Sequence, residues 1–196
     1  MYSLKQTVAP TEEPVSVGEA RRFMRVDGTD EDLMIRDFIR TATQRAETIT
    51  NRQLMTATLR ARFDRFQVSA VPELMTRDGK AIELPAAPLV SVTSIQYVDT
   101  DGATQTWSAS NYVVATDHEP GRVTRAYSVE WPTVRDIADA VTITYVAGYA
   151  SALLVPEIAK TAIRIGVRGM YDKRDDADIL DAMTAILADL IVPNMV

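Results

Sequence analysis

Apolar residues recur at helical spacing in the first quarter of the chain, and the pattern predicts two helices there. Ser16 and Glu19 have the spacing of a capping box, which predicts a short helix over 16–25. After an Asp27-Gly28 turn, Thr29 is expected to cap a longer helix over 30–50. One stripe of that helix is apolar and the opposite stripe is charged. The apolar stripe consists of Ile35, Phe38, Ile39, Ala42, Ala46 and Ile49.

Helical spacing returns near the C-terminal end, where the apolar arcs are wider. Pro156 suits the first turn of a helix that ends near Tyr171. Its apolar residues cover more than half of the helical wheel and leave a narrow basic stripe, and Gly166 and Gly169 would let another backbone approach closely. The basic stripe consists of Lys160, Arg164 and Arg168.

A last helix is predicted from Asp176 to about Val192, again with a broad apolar arc. The arc consists of Ile179, Leu180, Met183, Ile186, Leu187, Leu190 and Ile191. Two neighbouring helices with arcs this wide carry more apolar surface than we expect one monomer to bury. We therefore expect them to form an association surface.

Between the helical ends the apolar period changes to two, which is typical of half-buried strands. Leu59, Ala61 and Phe63 alternate with polar residues, and strand-like runs follow at 89–99, 104–107, 112–115, 122–127 and 141–146. Asp101-Gly102 is a candidate hairpin turn. These patterns predict an α+β fold, in which N- and C-terminal helices form a helical bundle and the middle of the chain inserts an antiparallel β-sheet or small barrel.

Composition narrows the function. The chain has 196 residues, 46% hydrophobic and 24% charged, which fits one compact unit without a metal or disulfide. It has no cysteine, and no apolar run approaches the roughly 20 residues that span a bilayer, so no membrane partner is expected. The net charge of −6 argues against a generally basic nucleic-acid binder, and residues 81–150 are the most acidic part.

Candidate chemistry is sparse. His118 is the only histidine and lies in a turn-like segment, and the chain has neither a nucleophile elbow nor a glycine-rich phosphate loop. We therefore predict no catalytic residue, no cofactor and no metal. An acidic cluster offers oxygen ligands for a metal-dependent hydrolase, although helix capping explains it better. The cluster consists of Asp172, Asp175, Asp176 and Asp178.

Several short segments, in order along the chain, are similar to phage head-tail connector (adaptor) proteins of long-tailed phages and related gene-transfer particles. The first is the pair of helices joined through Arg25-Val26-Asp27, and Thr50-Asn51-Arg52 then closes the long helix. Later landmarks are residues 84–89 with 92–95, and residues 145–149 with Val155-Pro156-Glu157. Together the segments span about Val15 to Tyr171.

The resemblance implies a non-enzymatic virion protein made in the host bacterial cytoplasm. It implies a ring of about a dozen subunits at the head-tail junction, between the portal protein and a stopper or tail-completion protein. DNA would pass through the channel without specific binding. It also implies a division into an N-terminal extension (1–14), a connector core (15–175, with helices 16–25, 30–50 and 156–171 and a β insertion at about 55–147), and a C-terminal helix and tail (176–196).

Candidate interface residues follow from the C-terminal helices. They are Lys160, Arg164, Arg168, Met183, Ile186, Leu187, Leu190 and Ile191. The basic stripe has two readings that the sequence leaves open, a solvated helix face or a contact with acidic partners or DNA. An alternative function is a β-sheet ligand- or glycan-binding module of a phage particle, suggested by Trp107, Tyr112, Tyr127 and Trp131.

Overall fold

The structure is a computed structural model that describes residues 2–66, 81–172 and 176–192. In these ranges it contains four α-helices and eight β-strands, which confirms the α+β class. The helices are α1 (Val17–Met24), α2 (Asp32–Thr50), α3 (Glu157–Tyr171) and α4 (Asp176–Leu187). The strands are β1 (Tyr2–Val8), β2 (Ala57–Phe63), β3 (Ala81–Glu83), β4 (Leu89–Val98), β5 (Thr104–Trp107), β6 (Tyr112–Ala115), β7 (Arg122–Arg125) and β8 (Val141–Ala147). Short 3₁₀ segments lie at Ala109–Asn111 and Ala188–Leu190.

The chain divides into two compact units, each with its own core. A helical unit contains residues 10–56 and 149–192, and a β unit contains the described parts of 1–9 and 57–148. In the helical unit α3 contacts α1, α2 and α4, and α2 also contacts α4. The core of the helical unit is drawn from all four helices and includes Ala20, Ile35, Ile39, Ala42, Ile163, Val167, Ile179, Met183 and Leu187.

Two glycines of α3 allow the close approach of neighbouring helices, as the sequence predicts. A Cβ at Gly169 would lie 2.6 Å from Cγ1 of Ile179 on α4. A Cβ at Gly166 would lie 2.7 Å from Sδ of Met183 and 3.2 Å from Cβ of Ala42. These distances are shorter than van der Waals contact. Helix α4 can therefore pack this closely on α3 only because the two glycines have no side chain.

The two N-terminal helices begin differently. Ser16 and Glu19 form the predicted capping box, in which Ser16 Oγ accepts a hydrogen bond from Glu19 N (3.2 Å) and Ser16 N donates to Glu19 Oε2 (2.8 Å). The prediction that Thr29 caps α2 is wrong. The helix begins at Asp32, and the Thr29 carbonyl accepts a hydrogen bond from Asp32 N at 3.1 Å. Thr29 therefore belongs to a turn that precedes the helix.

The β unit contains two antiparallel sheets, and both are open within the described residues. The five-stranded sheet has the order β1-β2-β8-β4-β5, and the three-stranded sheet has the order β3-β7-β6. The antiparallel alternative is confirmed, and no closed barrel forms among residues 2–66 and 81–148. Residues on β2 and β8 alternate between buried and partly exposed positions as predicted. The inward-facing residues on these two strands are Ala57, Leu59, Ala61, Phe63, Val141, Ile143, Tyr145 and Ala147.

Strand β1 lies in the segment that the sequence treats only as an extension. Tyr2–Val8 pairs with β2 in antiparallel register, from Tyr2 opposite Phe63 to Val8 opposite Thr58, with an irregularity between Gln6 and Val8. It forms one edge of the five-stranded sheet, and β5 forms the other. The N-terminal segment is therefore part of the β unit.

Candidate assembly surfaces

The basic stripe on α3 is neutralised by carboxylates at both ends. Lys160 is buried, and its Nζ lies 2.5 Å from Oε1 of Glu157. At the other end Nε of Arg168 lies 3.4 Å from Oδ2 of Asp172. The hydrogen bond from Lys160, followed by the attraction of Lys160 and Arg164, holds the pKa of Glu157 below its usual value. The stripe therefore does not present three free positive charges to a partner.

Arg164 links the start of α3 to α1. Its Nη2 donates to Thr161 Oγ1 at 3.0 Å and lies 3.6 Å from Oε2 of Glu157. Its guanidinium carbon lies 5.9 Å from the centroid of the Phe23 ring, within the range of a cation–π contact. These contacts give Arg164 a packing role within the helical unit. Of the three basic residues only Arg168 is exposed.

The α4 candidates divide into buried and accessible residues. Met183 and Leu187 are fully buried in the core of the helical unit. Ile186 and Leu190 are partly buried against the same core, and Ile191 is 46% exposed. The wide arc that suggested unsatisfied apolar surface is thus covered largely within the chain, because α4 packs against both α3 and α2. Met183 and Leu187 are unavailable to a partner while α4 stays packed, and Lys160 is buried on α3.

Two leucines outside the predicted interface set are strongly exposed on the helical unit. Leu153 and Leu154 lie in the turn before α3 and are 89% and 61% exposed. Val155 beside them is buried in the helical core. They lie between Gly148 and Pro156, outside any helical or alternating period, so the sequence pattern does not indicate that they are exposed. Apolar side chains that a turn exposes together are candidates for a protein contact.

The C-terminal end of the described chain is held against the end of α2. Val192 N donates to the Thr50 carbonyl at 2.9 Å, and Asn51 Nδ2 donates to the Val192 carbonyl at 2.8 Å. Arg52 Nε donates to the Leu190 carbonyl at 2.8 Å. Residues 50–52, which carry part of the family resemblance, therefore fix residues 190–192. The predicted tail Pro193–Val196 lies outside the described residues.

Glu47 supports the same corner from inside α2. Its Oε1 accepts hydrogen bonds from Gln53 Nε2 (2.7 Å) and from Leu54 N (2.9 Å). Burial raises the pKa of Glu47 to about 7, the hydrogen bond from Leu54 acts in the opposite direction, and the nearby Glu13 carboxylate raises it further. The stability of this corner is therefore expected to depend on pH.

Three of the four aromatic residues that suggested a glycan site contact one another within the β unit. The Trp107 ring lies 4.7 Å from the Trp131 ring and 5.6 Å from the Tyr112 ring, between centroids, and Phe66 stacks on Trp131 at 4.8 Å. Trp107 is buried, and only Tyr127 is almost fully exposed. A sugar platform needs accessible ring faces, so this cluster is better explained as core.

Metal-ligating side chains are not clustered in the described part of the chain. No group of three or more metal-ligating side chains occurs among the described residues. Asp175 and the side chain of Asp176 lie outside them, so the acidic cluster as a whole stays untested. His118 is exposed in an irregular turn. None of the helices in the described ranges has the length and apolar content needed to cross a bilayer.

Comparison by sequence gives no relative, since no protein-family model and no curated protein matches the chain. Comparison by structure does. A chain from the neck of an empty gene transfer agent (GTA) particle, computed with C6 symmetry, matches with a TM-score of 0.76 and 19% identity. The match covers 99% of this chain and 97% of that chain.

Two further GTA structures contain chains with the same fold. One is the virion of a native GTA particle (TM-score 0.71, 20% identity, 98% of this chain and 97% of that chain). The other is the neck of a native GTA particle computed with C12 symmetry (TM-score 0.72, 20% identity, 99% and 97%). Over almost its full length, the chain therefore has the fold of proteins from GTA particles, including their necks, and this confirms at the level of fold the resemblance noted in the sequence.

Proposed function

We propose that the chain is a structural, non-enzymatic subunit of the neck of a phage or phage-like particle. In this role it acts as a head-tail connector that forms a ring between the portal and the tail or stopper and extends the DNA channel. The ring has about a dozen copies, as the C12 symmetry of one similar neck suggests. DNA passes through without specific binding.

The observation that carries the proposal is the completeness of the structural match. The matches cover 97% of the GTA chains and at least 98% of this one, so both units take part. A shared fold alone does not fix function. The sequence landmarks between Val15 and Tyr171 give an independent reason to choose the connector role.

The proposal assigns different roles to the parts of the chain. The N- and C-terminal helices form the bundle that supports the ring, and the β insertion faces a neighbouring neck or tail component. Arg168, Ile186, Leu190 and Ile191 are the accessible members of the predicted interface set, and Leu153 and Leu154 are added to it. Residues 190–192, which are hydrogen-bonded to residues 50–52, lead into the C-terminal tail. We assign this tail to the portal contact.

Electron microscopy of the purified full-length chain mixed with the portal of the same particle tests this function. We expect rings bound coaxially to the portal. A variant with Leu153→Asp and Leu154→Asp should fold and lose this binding, whereas Asp117→Asn in an exposed loop should bind like the natural chain. The absence of both rings and portal binding at physiological salt would contradict the proposal.

A further inference from the structure

We propose that neighbouring copies in the ring join their five-stranded sheets edge to edge, with β1 of one copy beside β5 of the next. This inference rests on the proposed ring, and it names the seam between subunits. The partner at each edge is a second copy of this chain. Its basis is the state of the two sheet edges and the charges that each edge carries.

No described residue pairs with the outer edge of β1, and the apolar face of the strand is incomplete. Every residue of β1 after Tyr2 is exposed, although the strand pairs with β2 along its length. Leu4 lies opposite Ala61, so both point to the core side of the sheet, yet Leu4 is 42% exposed while Ala61 is fully buried. A strand added outside β1 would pair with its free backbone groups and cover Leu4.

At the β1–β2 end of the sheet, the face opposite to the Leu4 side chain is basic. Lys5 lies opposite Arg60, and β1 and β2 contain no acidic residue. Arg62 is paired, since its Nη1 lies 3.3 Å from Oδ2 of Asp139. For Lys5 and Arg60 the described residues provide no carboxylate within ion-pair distance. Two like charges face each other across the strand pair, which favours an acidic neighbour.

The β5 end of the sheet is acidic. The hairpin turn between β4 and β5 carries Asp99 and Asp101, and neither strand contains a basic residue. Hydrogen bonds from the Gln105 side chain and from backbone N–H groups of the turn hold the pKa of Asp99 below its usual value, so it is ionised. Arg135 lies beside Gly102 and offsets part of this charge. Because Asp136 follows Arg135 in the sequence, the net charge around the turn is still negative.

These two ends suit the same seam. A ring requires two different, complementary surfaces on each copy, because the contact is head-to-tail. In the described part of the chain the sheet has two different open edges, with basic residues at the β1 end and acidic residues at the β5 end. Every pairing in the sheet is antiparallel and there are five strands, so β1 and β5 run in the same direction. The seam is therefore a parallel strand pair if the sheet continues from copy to copy.

Cross-linking provides the test, and the absence of cysteine makes it clean. Ser3→Cys and Thr104→Cys are introduced together into the full-length chain, and neck-containing particles are treated with a short bis-maleimide. The seam predicts a ladder of cross-linked multimers of this chain. Each single variant should stay monomeric on a denaturing gel, and so should the control pair Asp117→Cys with Thr104→Cys, since Asp117 is exposed and lies outside both edge strands.

Three results would overturn the seam. They are rings without a ladder, a dimer formed by Ser3→Cys alone, or a link from Ser3→Cys to a different protein. In each case the chain is still in the neck, so the proposed function stands. If the chain is missing from complete necks, the proposed function itself fails.

A charge exchange gives a second readout that does not depend on reactive cysteines. Lys5→Glu and Asp101→Lys should each lower the yield of rings severalfold, because each reduces the attraction between the basic β1 end of the sheet and the acidic turn before β5. The double variant should recover most of the yield. If Lys5→Glu leaves the yield unchanged, or if the double variant is worse than both single variants, the seam lies elsewhere.

Discussion

In the helical unit the wide apolar arc of α4 is largely covered within one chain, whereas the described part of the β unit leaves an edge of its sheet open. Helix α4 hides Met183 and Leu187 against α3 and α2, although its wide apolar arc suggested a missing partner. Strand β1 has few apolar residues, yet its Leu4 side chain and its outer backbone groups are accessible. Apolar content in a sequence therefore indicates how much an element buries, but not whether its own chain supplies the cover.

The largest expected effect concerns the helical unit, where α4 is covered within the chain. Leu187→Ala removes a fully buried side chain from the core between the helices, and it should lower the free energy of unfolding by about 2–5 kcal/mol. Leu180→Ala on the exposed face of α4 should change it by less than about 1 kcal/mol. Chemical denaturation of the full chain measures both. Equal losses would show that α4 is not packed as described.

The close contact at Gly169 should give the next largest effect. Gly169→Ala places a methyl group 2.6 Å from Cγ1 of Ile179, and overpacking of this kind costs about 1–3 kcal/mol. Gly18→Ala on α1 is the matched control, since its nearest contact is 3.7 Å, and it should be neutral or stabilising. In a double-mutant cycle with Ile179→Ala, which removes both Cγ1 and Cδ1, the cost of Gly169→Ala should be smaller than in the natural chain. A stabilising Gly169→Ala would mean that α3 and α4 lie further apart.

The raised pKa of Glu47 predicts a pH dependence within the helical unit. The folded chain keeps its proton up to about pH 7, whereas an unfolded glutamate loses it near 4.5. The folded state then binds more protons between these values, so the free energy of unfolding falls as pH rises from about 4.5 to 7 and levels off above that. The loss is on the order of 1–3 kcal/mol.

Glu47→Gln removes the titration and keeps an acceptor for Leu54 N. Thermal unfolding across pH 4 to 8 should show a smaller decline for this variant and greater stability than the natural chain at pH 8. Glu12→Gln, an exposed acidic residue, should leave the profile unchanged. Identical profiles for Glu47→Gln and the natural chain would contradict the assignment.

The smallest effect on folding is expected at the exposed turn. Leu153→Asp should change the free energy of unfolding by less than about 0.5 kcal/mol, since the side chain is almost fully accessible. Its incorporation into particles, measured by quantitative mass spectrometry, should fall severalfold. Normal incorporation would remove this turn from the assembly surface.

Much of the fold could be predicted because buried elements impose a period. The alternation of Leu59, Ala61 and Phe63 marks β2, and the stripe from Ile35 to Ala46 marks α2, because each has one face in a core. Strand β1 was not predicted because it has no fully buried face. Leu4 and Gln6 lie on the same face of this exposed edge strand, so its sequence shows no apolar period.

The site was harder to predict than the fold. A helical wheel places Lys160 on a polar stripe, but it cannot show that Glu157 neutralises it and lets it pack at 7% exposure. It also cannot show which neighbour covers Met183. Leu153 and Leu154 follow no period, so only the structure shows that the turn exposes them. Contacts between distant parts of the chain decide each of these cases.

The most direct test of the central claim is a reconstruction by electron cryo-microscopy of the neck of particles assembled with the full-length chain. The account predicts a closed ring of this chain at the head-tail junction, with β1 of each copy beside β5 of the next. Complete necks that lack the chain, or that hold it as a single copy outside a ring, would contradict it.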